Sequence, residues 1–522
     1  MTLMLTLGTA AFGAQKTLPS GKDTGSINVT NLKPGDTVTA YQFVKADYNE
    51  YGFTGYSAIN NYVKDPVAPT AQEVIDMASN AATMTVAAEK KVATGDTEVT
   101  LNGLPVGYYL VMVTSGSETV YSPMIAGIYY SKSATDNTLT NGAISADSDF
   151  EIKAQKCWAK SSTPKLEKTI VTPSSKNSKG DDIAIGDKIT FNLSATVPSY
   201  SREYKKVTYK IYDIMSEGLD YVDGSMKCFI EKYENNRENI KVTPKVNGGI
   251  IEITFDSKFI LEHPGQKIQV EYQAKLNEKA GVNFDANINK AYLEYSNNPA
   301  SGSTAKTGED KVYVYTFGID SNLFGKSTEK WNEKTKELIK VEEGEYQWVE
   351  TEKESGIFTT TTALEGASFT LTNNKTKKSY TATSDKYGYL KFTGLDAGEY
   401  TLQETDAPDG FTLNDAKHTV VITAEYNQDG NLKSYTIKID DKATSTYTAT
   451  YDKGVIKTIT STKDSQGNIS ESAILKNSKM SFLPSTGGVG TTIFAIVGVV
   501  FVAAALGLHM ILRGKSKLEQ DR

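Results

Sequence analysis

The C-terminal end of the chain constrains its fold and location more than any other stretch. Residues 489–512 contain no Asp, Glu, Lys or Arg, and a short tail with Arg513, Lys515, Lys517 and Arg522 follows. A helix needs roughly 20 apolar residues to cross about 30 Å of hydrocarbon. Because Lys and Arg collect on the cytoplasmic side of a span, the tail is expected inside the cell and the rest of the chain outside. The sequence therefore predicts an exported protein with one C-terminal transmembrane helix.

A pentapeptide lies shortly before this span and consists of Leu483, Pro484, Ser485, Thr486 and Gly487. Together with the apolar span and the basic tail, it resembles the LPXTG cell-wall sorting signal of Gram-positive surface proteins. The resemblance implies that a sortase, a membrane cysteine transpeptidase, cleaves between Thr486 and Gly487 and transfers the Thr carbonyl to an amine. It also implies a secreted protein that is held in the membrane as a precursor and then linked to peptidoglycan in the cell wall.

Length and composition point to several β-rich domains. A chain of 522 residues is too long for one core, and about 150 residues per domain predicts three domains. Thirty tyrosines, abundant Thr and Val and little helical patterning favour strands. The net charge of −7 is spread along the chain without a basic patch, so no nucleic-acid partner is expected.

The chain divides into five segments. Residues 1–14 are interpreted as a partial signal peptide, because an apolar core is present without the preceding basic region. Three domains are predicted at 15–155, 162–311 and 312–480, and the sorting signal occupies 483–522. Within the first domain, an Ala-rich stretch from Thr70 to Val92 is predicted to form a helix between strands.

The third domain carries the most specific motif outside the sorting signal. Residues 400–411 match the pilin E-box, YxLxETxAPxGY, with Phe411 in the last place. This stretch resembles the CnaB-type domain of Gram-positive pilins and adhesins. In that family a glutamate assists a spontaneous amide bond between a Lys on the first strand and an Asn on the last. The resemblance assigns these roles to Glu404, Lys326 and Asn477.

The alternation of side chains along strands supports this assignment. Residues two apart share a strand face, so each of the three polar residues has apolar neighbours such as Phe324, Leu402 and Leu475. Burial disfavours both charged forms and leaves a neutral amine and a protonated acid that polarises the Asn amide. Attack by the amine expels ammonia and leaves a cross-link that resists tension. The alternative interpretation is a buried Lys–Glu ion pair beside a surface Asn.

The middle domain repeats this pattern with an aspartate. Lys168 and Asp213 each share a strand face with apolar residues, and Asn289 is in phase on a third strand. A buried Lys and a buried Asp are costly unless they serve one another. The domain resembles the middle domain of three-domain backbone pilins, in which Lys, Asp and Asn play these parts. The predicted bond joins Lys168 to Asn289 with Asp213 assisting, and Asn297, of the same strand parity, is the alternative acceptor.

The first domain departs from the pattern. An internal alignment of residues 103–111 with 394–402 places Val113 where the third domain has Glu404, so no cross-link is predicted there.

A pilus-building sortase also needs a lysine that accepts the Thr carbonyl. The family carries it in a YPK-like motif between the first two domains, and this chain lacks YPK. Lys160 is the predicted nucleophile because it lies at the corresponding place in a connector, where exposure suits an intermolecular reaction. Lys153, Lys156 and Lys165 are the alternatives, and all four could be ordinary solvated linker lysines.

Metal, cofactor and hydrolase chemistry have no support in the sequence. The three histidines, His263, His418 and His509, are far apart, which argues against a His-rich metal site and against a Ser-His-Asp arrangement. No metal or cofactor is expected. Cys157 and Cys228 could form a disulfide, but nothing in their spacing argues for one.

The sequence thus predicts an all-β protein of tandem immunoglobulin-like (Cna-type) β-sandwich domains plus a C-terminal transmembrane helix. The predicted function is the major (backbone) subunit of a covalent pilus, involved in adhesion and not an enzyme. A class C sortase is expected to join Thr486 of one subunit to Lys160 of the next. The expected partners are identical subunits, ancillary pilins and peptidoglycan. The alternatives are a wall-anchored adhesin that is never polymerised and, less favoured, a surface enzyme.

Overall fold

The computed structural model describes most of the chain between residues 18 and 477. The described ranges are 18–115, 118–131, 143–144, 150–171, 177–233, 236–319, 325–328, 336–342, 345–350, 364–386, 388–440, 443–462 and 474–477. Strands dominate and form three successive domains, each with its own core. The predicted all-β, tandem-sandwich fold is confirmed.

Within the described ranges, no helix is long and apolar enough to cross a membrane. The predicted transmembrane helix at 489–512 and the predicted signal segment at 1–14 lie outside these ranges.

The first domain is built around two sheets that pack across an apolar core. One sheet has the order β10-β1-β5 and the other β3-β2-β6-β8-β9, with β4 also paired to β2 and with β7 paired to β11. Ile27, Tyr109 and Ile128 are among its fully buried side chains. The strands are β1 (Thr24–Thr30), β2 (Thr37–Asn49), β3 (Gly52–Ala58), β4 (Val86–Lys91), β5 (Glu98–Pro105), β6 (Gly107–Thr114), β7 (Val120–Tyr121), β8 (Met124–Ser131), β9 (Glu151–Ala154), β10 (Cys157–Trp158) and β11 (Ser161–Ser162).

The predicted helix of the first domain is present but shorter than expected. Helix α1 (Ala71–Ser79) begins after Thr70, whose side chain and that of Glu73 satisfy each other's backbone N–H groups in a capping box. After a 3₁₀ turn at Ala81–Thr83, the chain forms β4 instead of continuing the helix. The prediction of a helix to Val92 was wrong because pairing of Val86–Lys91 with β2 outweighs the intrinsic helix preference of this Ala-rich stretch.

The middle domain is a two-sheet sandwich with the largest core among the described residues. The first sheet has the order β12-β14-β21-β17-β18, and the second has β13-β24-β22-β15-β20-β19, with β16 paired to β21 and β23 to β22. A short helix, α2 (Ser257–Glu262), is capped by Asp256. The strands are β12 (Leu166–Ile170), β13 (Gly180–Asp182), β14 (Lys188–Thr196), β15 (Tyr209–Met215), β16 (Leu219–Tyr221), β17 (Lys227–Tyr233), β18 (Asn236–Ile240), β19 (Lys245–Asn247), β20 (Ile250–Thr254), β21 (Lys267–Leu276), β22 (Asn287–Asn298), β23 (Ser303–Lys306) and β24 (Asp310–Tyr315).

The third domain has one long sheet, β30-β29-β32-β33-β34-β35-β36, and three two-stranded pairs, β25–β31, β26–β37 and β27–β28. Buried Phe369, Tyr400, Leu402 and Ile437 contribute to its core. The strands are β25 (Phe317–Ile319), β26 (Gly325–Thr328), β27 (Lys336–Glu342), β28 (Glu345–Glu350), β29 (Ser368–Asn373), β30 (Ser379–Thr383), β31 (Phe392–Leu395), β32 (Gly398–Asp406), β33 (Lys417–Tyr426), β34 (Leu432–Ile439), β35 (Ala443–Asp452), β36 (Val455–Thr462) and β37 (Ile474–Asn477).

The segments that the internal sequence alignment matches in the first and third domains have the same local structure. The Tyr109 hydroxyl donates to the carbonyl oxygen of Pro105 at 2.5 Å, and the Tyr400 hydroxyl donates to that of Asp396 at 2.8 Å, each four residues upstream. Both turns also hold a glycine at positive φ, which a residue with a Cβ rarely adopts. The same sequence pattern therefore builds the same turn and strand in both domains.

Strand pairing places the domain limits slightly beyond the predicted ones. The connector strands β10 and β11 pair with β1 and β7, so the first domain extends to Ser162. The predicted limit at 311/312 falls inside β24, which pairs with β13 and β22 of the middle domain. The middle domain therefore continues to Tyr315.

Candidate functional site

The most unusual chemistry of the described chain is a polar cluster sealed in the middle sandwich. Strand β12 of the first sheet carries Lys168, and strands β15 and β22 of the second sheet carry Asp213 and Asn289. All three side chains have no exposed surface. Strand alternation forces this placement, because their neighbours at every second position are the apolar residues that close the core.

A fourth residue, Tyr272 on β21, connects the cluster. Lys168 Nζ is paired with Asp213 Oδ2. The Tyr272 hydroxyl donates to Asp213 Oδ1 at 2.6 Å, and it accepts from Lys168 Nζ at 3.1 Å and from Asn289 Nδ2 at 2.7 Å. The predicted amine, acid and amide are therefore brought together around one phenol.

The surroundings of the cluster favour a reactive amine. Desolvation lowers the pKa of Lys168, although the neighbouring Asp213 opposes this shift. The Lys168 ammonium position lies 4.9 Å from the ring centroid of Phe191 and 5.2 Å from that of Tyr272. Burial and the Asp213 carboxylate raise the pKa of Tyr272 well above its ordinary value, so its hydroxyl keeps its proton. A neutral amine beside a protonated acid is the state that can attack an amide.

The side-chain oxygen and the side-chain nitrogen of Asn289 differ in their hydrogen bonding. Asn289 Oδ1 is buried and has no hydrogen-bond partner among the described residues. The alternative acceptor, Asn297, lies outside the cluster at the half-buried end of β22, where its Oδ1 accepts from Ser303 Oγ at 2.7 Å. The geometry therefore groups Asn289, and not Asn297, with the amine.

Backbone contacts that the sequence interpretation missed fix Lys168 on its strand. The Lys168 N–H donates to Asp310 Oδ2 at 2.7 Å, and its carbonyl accepts from Lys179 Nζ at 2.6 Å. Lys179 and Asp310 also pair with each other at 2.7 Å. This ion pair ties β12 to β24, and the strand pattern alone gives no signal for it.

For the predicted cross-link of the third domain, the described residues include the side chain of Glu404 and the backbone pairing of strands β26 and β37. Glu404 is 2% exposed, and its Oε2 accepts from the backbone N–H of Asn414 at 2.8 Å. Strands β26 and β37 pair in parallel, with Lys326 opposite Leu475 and Thr328 opposite Asn477. Lys326 and Asn477 thus lie on adjacent strands, two positions apart; their side chains lie outside the described part of the chain.

The first domain has an apolar residue at the corresponding place. Val113 on β6, which the internal alignment matches to Glu404, is buried with 8% exposure in the core of that domain.

The connector lysine Lys160 lies at a groove between the first two domains. Its side chain is exposed, and its backbone carbonyl accepts from the Ser122 N–H at 3.0 Å. It lines a cavity of about 430 Å³ together with residues of both domains, among them Pro123 and Tyr200. Of the four candidate lysines, Lys156 and Lys165 are also exposed and Lys153 is half-buried on β9, but only Lys160 lines this groove.

The remaining sequence predictions concern the sorting pentapeptide, the two cysteines and metal binding. The pentapeptide residues Leu483 to Gly487, including Thr486, lie outside the described ranges. Cys157 and Cys228 are buried free cysteines in different domains, so the disulfide that their presence allowed is not formed. Among the residues that the structure describes, no group of His, Cys, Asp or Glu has a metal-binding arrangement.

Comparisons with known proteins match three parts of the chain. The family model described as a T6 antigen Ig-like domain matches residues 22–161, and the SpaA prealbumin-like fold domain matches residues 357–436. The LPXTG cell wall anchor motif matches residues 476–517. The fold and the anchor therefore support an LPXTG-anchored major pilin, and the family predicted from the sequence is confirmed.

One relative and two solved structures are similar to most of this chain. The chain is 26% identical over 549 residues to the trypsin-resistant surface T6 protein of Streptococcus pyogenes serotype M6, covering 95% of this chain and 96% of the relative. The solved T6 backbone pilin of the same serotype has the same fold, with a TM-score of 0.58, 20% identity, and coverage of 89% of this chain and 100% of that one. The full-length major pilin SpaD of Corynebacterium diphtheriae was also matched, with a TM-score of 0.47, 16% identity, and coverage of 88% and 98%.

Proposed function

We propose that this chain is the structural shaft subunit of a sortase-assembled, wall-anchored pilus, and that it strengthens itself with internal amide bonds. The observation that carries the proposal is the sealed cluster of Lys168, Asp213 and Asn289 in the middle domain. A buried lysine paired with a buried acid beside a buried amide has little value as an ordinary ion pair, because desolvation offsets the attraction. The same arrangement is productive if the lysine attacks the amide.

The proposed reaction joins Lys168 Nζ to the side-chain carbonyl carbon of Asn289 and releases ammonia. Asp213 accepts the lysine proton and so generates the neutral amine. In the third domain, Glu404 has the same role for Lys326 and Asn477. The first domain is proposed to lack a bond of this type.

The positions of these bonds suit a fibre under tension. The Lys168–Asn289 bond would join the two sheets of the sandwich, so the sheets could not separate without breaking a covalent bond. The Lys326–Asn477 bond would join the neighbouring strands β26 and β37, near the start and the end of the third domain. Cross-links that close loops on the order of 100 residues stabilise by about 4–5 kcal/mol in the chain-entropy model.

Assembly is proposed to use the two ends of the subunit. A class C sortase would cleave after Thr486 and transfer its carbonyl to Lys160 of the next subunit, and the last transfer would be to peptidoglycan. The groove beside Lys160 supports this choice, because the extended end of another subunit needs space beside the lysine that accepts it. Ancillary pilins would share the same assembly chemistry and contribute to adhesion.

The test is the state of the protein on its native cell wall. Detergent-boiled wall extracts should give a high-mass ladder, whereas an adhesin that is not polymerised should give one wall-linked species. Lys160→Arg should abolish the ladder, and Lys156→Arg, which changes an exposed lysine away from the groove, should leave it intact. A ladder that persists in Lys160→Arg cells would reassign the nucleophile, and the branched peptide at Thr486 would identify it by sequencing.

A further inference from the structure

We propose that Tyr272 is a catalytic residue of the Lys168–Asn289 reaction and carries a proton from Asp213 to the departing amide nitrogen. This inference rests on the proposed amide bond and adds a residue to it.

The position of the Tyr272 hydroxyl is the first argument. It contacts Asp213 Oδ1 at 2.6 Å, Lys168 Nζ at 3.1 Å and Asn289 Nδ2 at 2.7 Å. Both nitrogens that change their bonds in the reaction are therefore within hydrogen-bond distance of one oxygen. The ring is held in place by the core, with Phe191 and Tyr221 at centroid distances of 5.5 and 5.9 Å.

The second argument is that Asp213 reaches the amide through Tyr272. One carboxylate oxygen of Asp213 contacts Lys168 and the other contacts Tyr272. Within the described residues, no hydrogen bond joins Asp213 to Asn289. An amide nitrogen leaves as ammonia only after it gains a proton. Because the cluster is buried, this proton must come from a neighbouring side chain.

The proton and bond balance closes with these four groups. Lys168 first gives a proton to Asp213, which leaves a neutral amine and a carboxylic acid. The amine then forms a bond to the Asn289 carbonyl carbon, and the carbonyl oxygen takes the electron pair. Tyr272 gives its proton to Nδ2 and takes the proton of Asp213. The attacking nitrogen returns one proton to Asp213, the C–N bond breaks, and ammonia leaves with Tyr272 restored and Asp213 protonated.

The experiment compares two tyrosine-to-phenylalanine variants of the same domain. Tyr272→Phe removes the proposed relay, and Tyr209→Phe removes another buried hydroxyl that has no hydrogen-bond partner among the described residues. Each full-length chain is synthesised in a cell-free system, and timed samples are quenched and digested. Mass spectrometry then follows the fraction of the branched peptide that contains Lys168 and Asn289. General acid–base groups contribute about 10²–10⁴-fold to rates, so Tyr272→Phe should slow the reaction at least about tenfold while Tyr209→Phe matches the wild type.

A second variant separates proton transfer from packing. Incorporation of 3-fluorotyrosine at position 272 keeps the phenol and its shape but makes it more acidic, so the rate and its pH dependence should change while the folded far-UV spectrum does not. If Tyr272→Phe forms the branched peptide at the wild-type rate, the inference is overturned. If Tyr272→Phe fails to fold, an unchanged rate with 3-fluorotyrosine overturns it equally. Absence of the branched peptide from the wild type would instead overturn the proposed amide bond itself.

Discussion

At the scale of single residues, burial decides which lysine can react. Lys168 has no exposed surface, and its amine is enclosed by Asp213, Tyr272 and the ring of Phe191. An exposed lysine such as Lys188 on β14 keeps its hydration. This difference in burial predicts that Lys168, and not Lys188, reacts with release of ammonia.

Lys168→Ala should prevent the amide bond of the middle domain and lower its stability. The variant loses a cross-link that closes a loop on the order of 100 residues, worth about 4–5 kcal/mol in the chain-entropy model, and leaves Asp213 buried without its partner. Peptide mass spectrometry and calorimetry measure the two effects. Lys188→Ala is the matched control and should keep both the bond and the melting temperature. A Lys168→Ala protein with the wild-type melting temperature would contradict the proposal.

Glu404→Gln should prevent the amide bond of the third domain. Glutamine keeps the size of Glu404 and its ability to accept from the Asn414 N–H, but it cannot take up the lysine proton. The peptides that contain Lys326 and Asn477 should therefore remain separate in mass spectra, and the protein should be one ammonia heavier than a Glu425→Gln variant, which carries the same substitution. Glu425→Gln changes an exposed glutamate of the same domain and should leave the bond intact. Equal masses for the two variants would exclude a role for Glu404.

The alternation of side chains along strands predicts most of the middle-domain cluster, but it does not predict all of it. Alternation along each strand was enough to put Lys168, Asp213 and Asn289 on core-facing positions. It could not separate Asn289 from Asn297, which have the same parity, because only the pairing register fixes depth along β22. It also gave no signal for Tyr272, since one more buried tyrosine in a Tyr-rich chain is an ordinary core residue until the facing sheet is known.

At the scale of elements, the long strands were predictable and the short ones were not. Strand β21 (Lys267–Leu276) can be predicted from the sequence, because its ten residues alternate strictly between polar and apolar. Strand β13 (Gly180–Asp182) cannot be predicted in this way, because glycine and aspartate are poor strand formers. It forms by parallel pairing with β24, a contact that local sequence does not encode. That short strand nonetheless contributes to the contact with the third domain, through Asp182.

The turn between β33 and β34 packs closely against β13. A Cβ on Gly430 would lie 2.3 Å from the carbonyl oxygen of Lys179, and Gly430 has φ of +90°. Gly180 in turn approaches the backbone of Gly430. The two glycines therefore let the middle and third domains meet backbone to backbone.

Gly430→Ala should loosen the contact between the middle and third domains. The methyl group adds a clash to the backbone strain of a positive φ, which together should cost on the order of 1–3 kcal/mol. Limited proteolysis between the domains and small-angle scattering should detect a freer arrangement. Gly454→Ala is the control, because Gly454 has φ of +79° but a Cβ added there would meet no atom within 4 Å. It carries the strain without the clash, so equal effects of the two variants would exclude a role for this close approach.

At the scale of the whole molecule, the contact between the middle and third domains contains a titratable group. Asp182 at the end of β13 accepts from the Tyr426 hydroxyl at 2.6 Å and from the Ala397 N–H at 2.5 Å, both in the third domain. Burial raises the pKa of Asp182 to about 6, and nearby Asp181 and Asp396 add to this shift. The subunit therefore carries a carboxylate whose protonation is coupled to the docking of two domains.

The sign of the pH dependence follows from this raised pKa. An unfolded aspartate titrates near 3.9, so between about pH 4 and pH 6 the folded chain holds a proton at Asp182 that the unfolded chain has lost. The contribution of Asp182 to stability therefore decreases as the pH rises through this window and is constant above it. With allowance for partial solvent access, the difference should be roughly 1–2 kcal/mol.

Asp182→Asn should remove this dependence, because its side chain carries no charge at any pH. Its amide oxygen still accepts from the Ala397 N–H, and its amide nitrogen can donate to the Tyr426 hydroxyl oxygen. The melting temperature of the variant relative to the wild type should therefore be higher at pH 7 than at pH 4.5. Using the difference between the two proteins cancels the titration of the other carboxylates. Asp220→Asn, at an exposed position of the middle domain, should show no such trend. A wild-type-to-Asp182→Asn difference that is the same at both pH values would show that docking of the domains does not sense this proton.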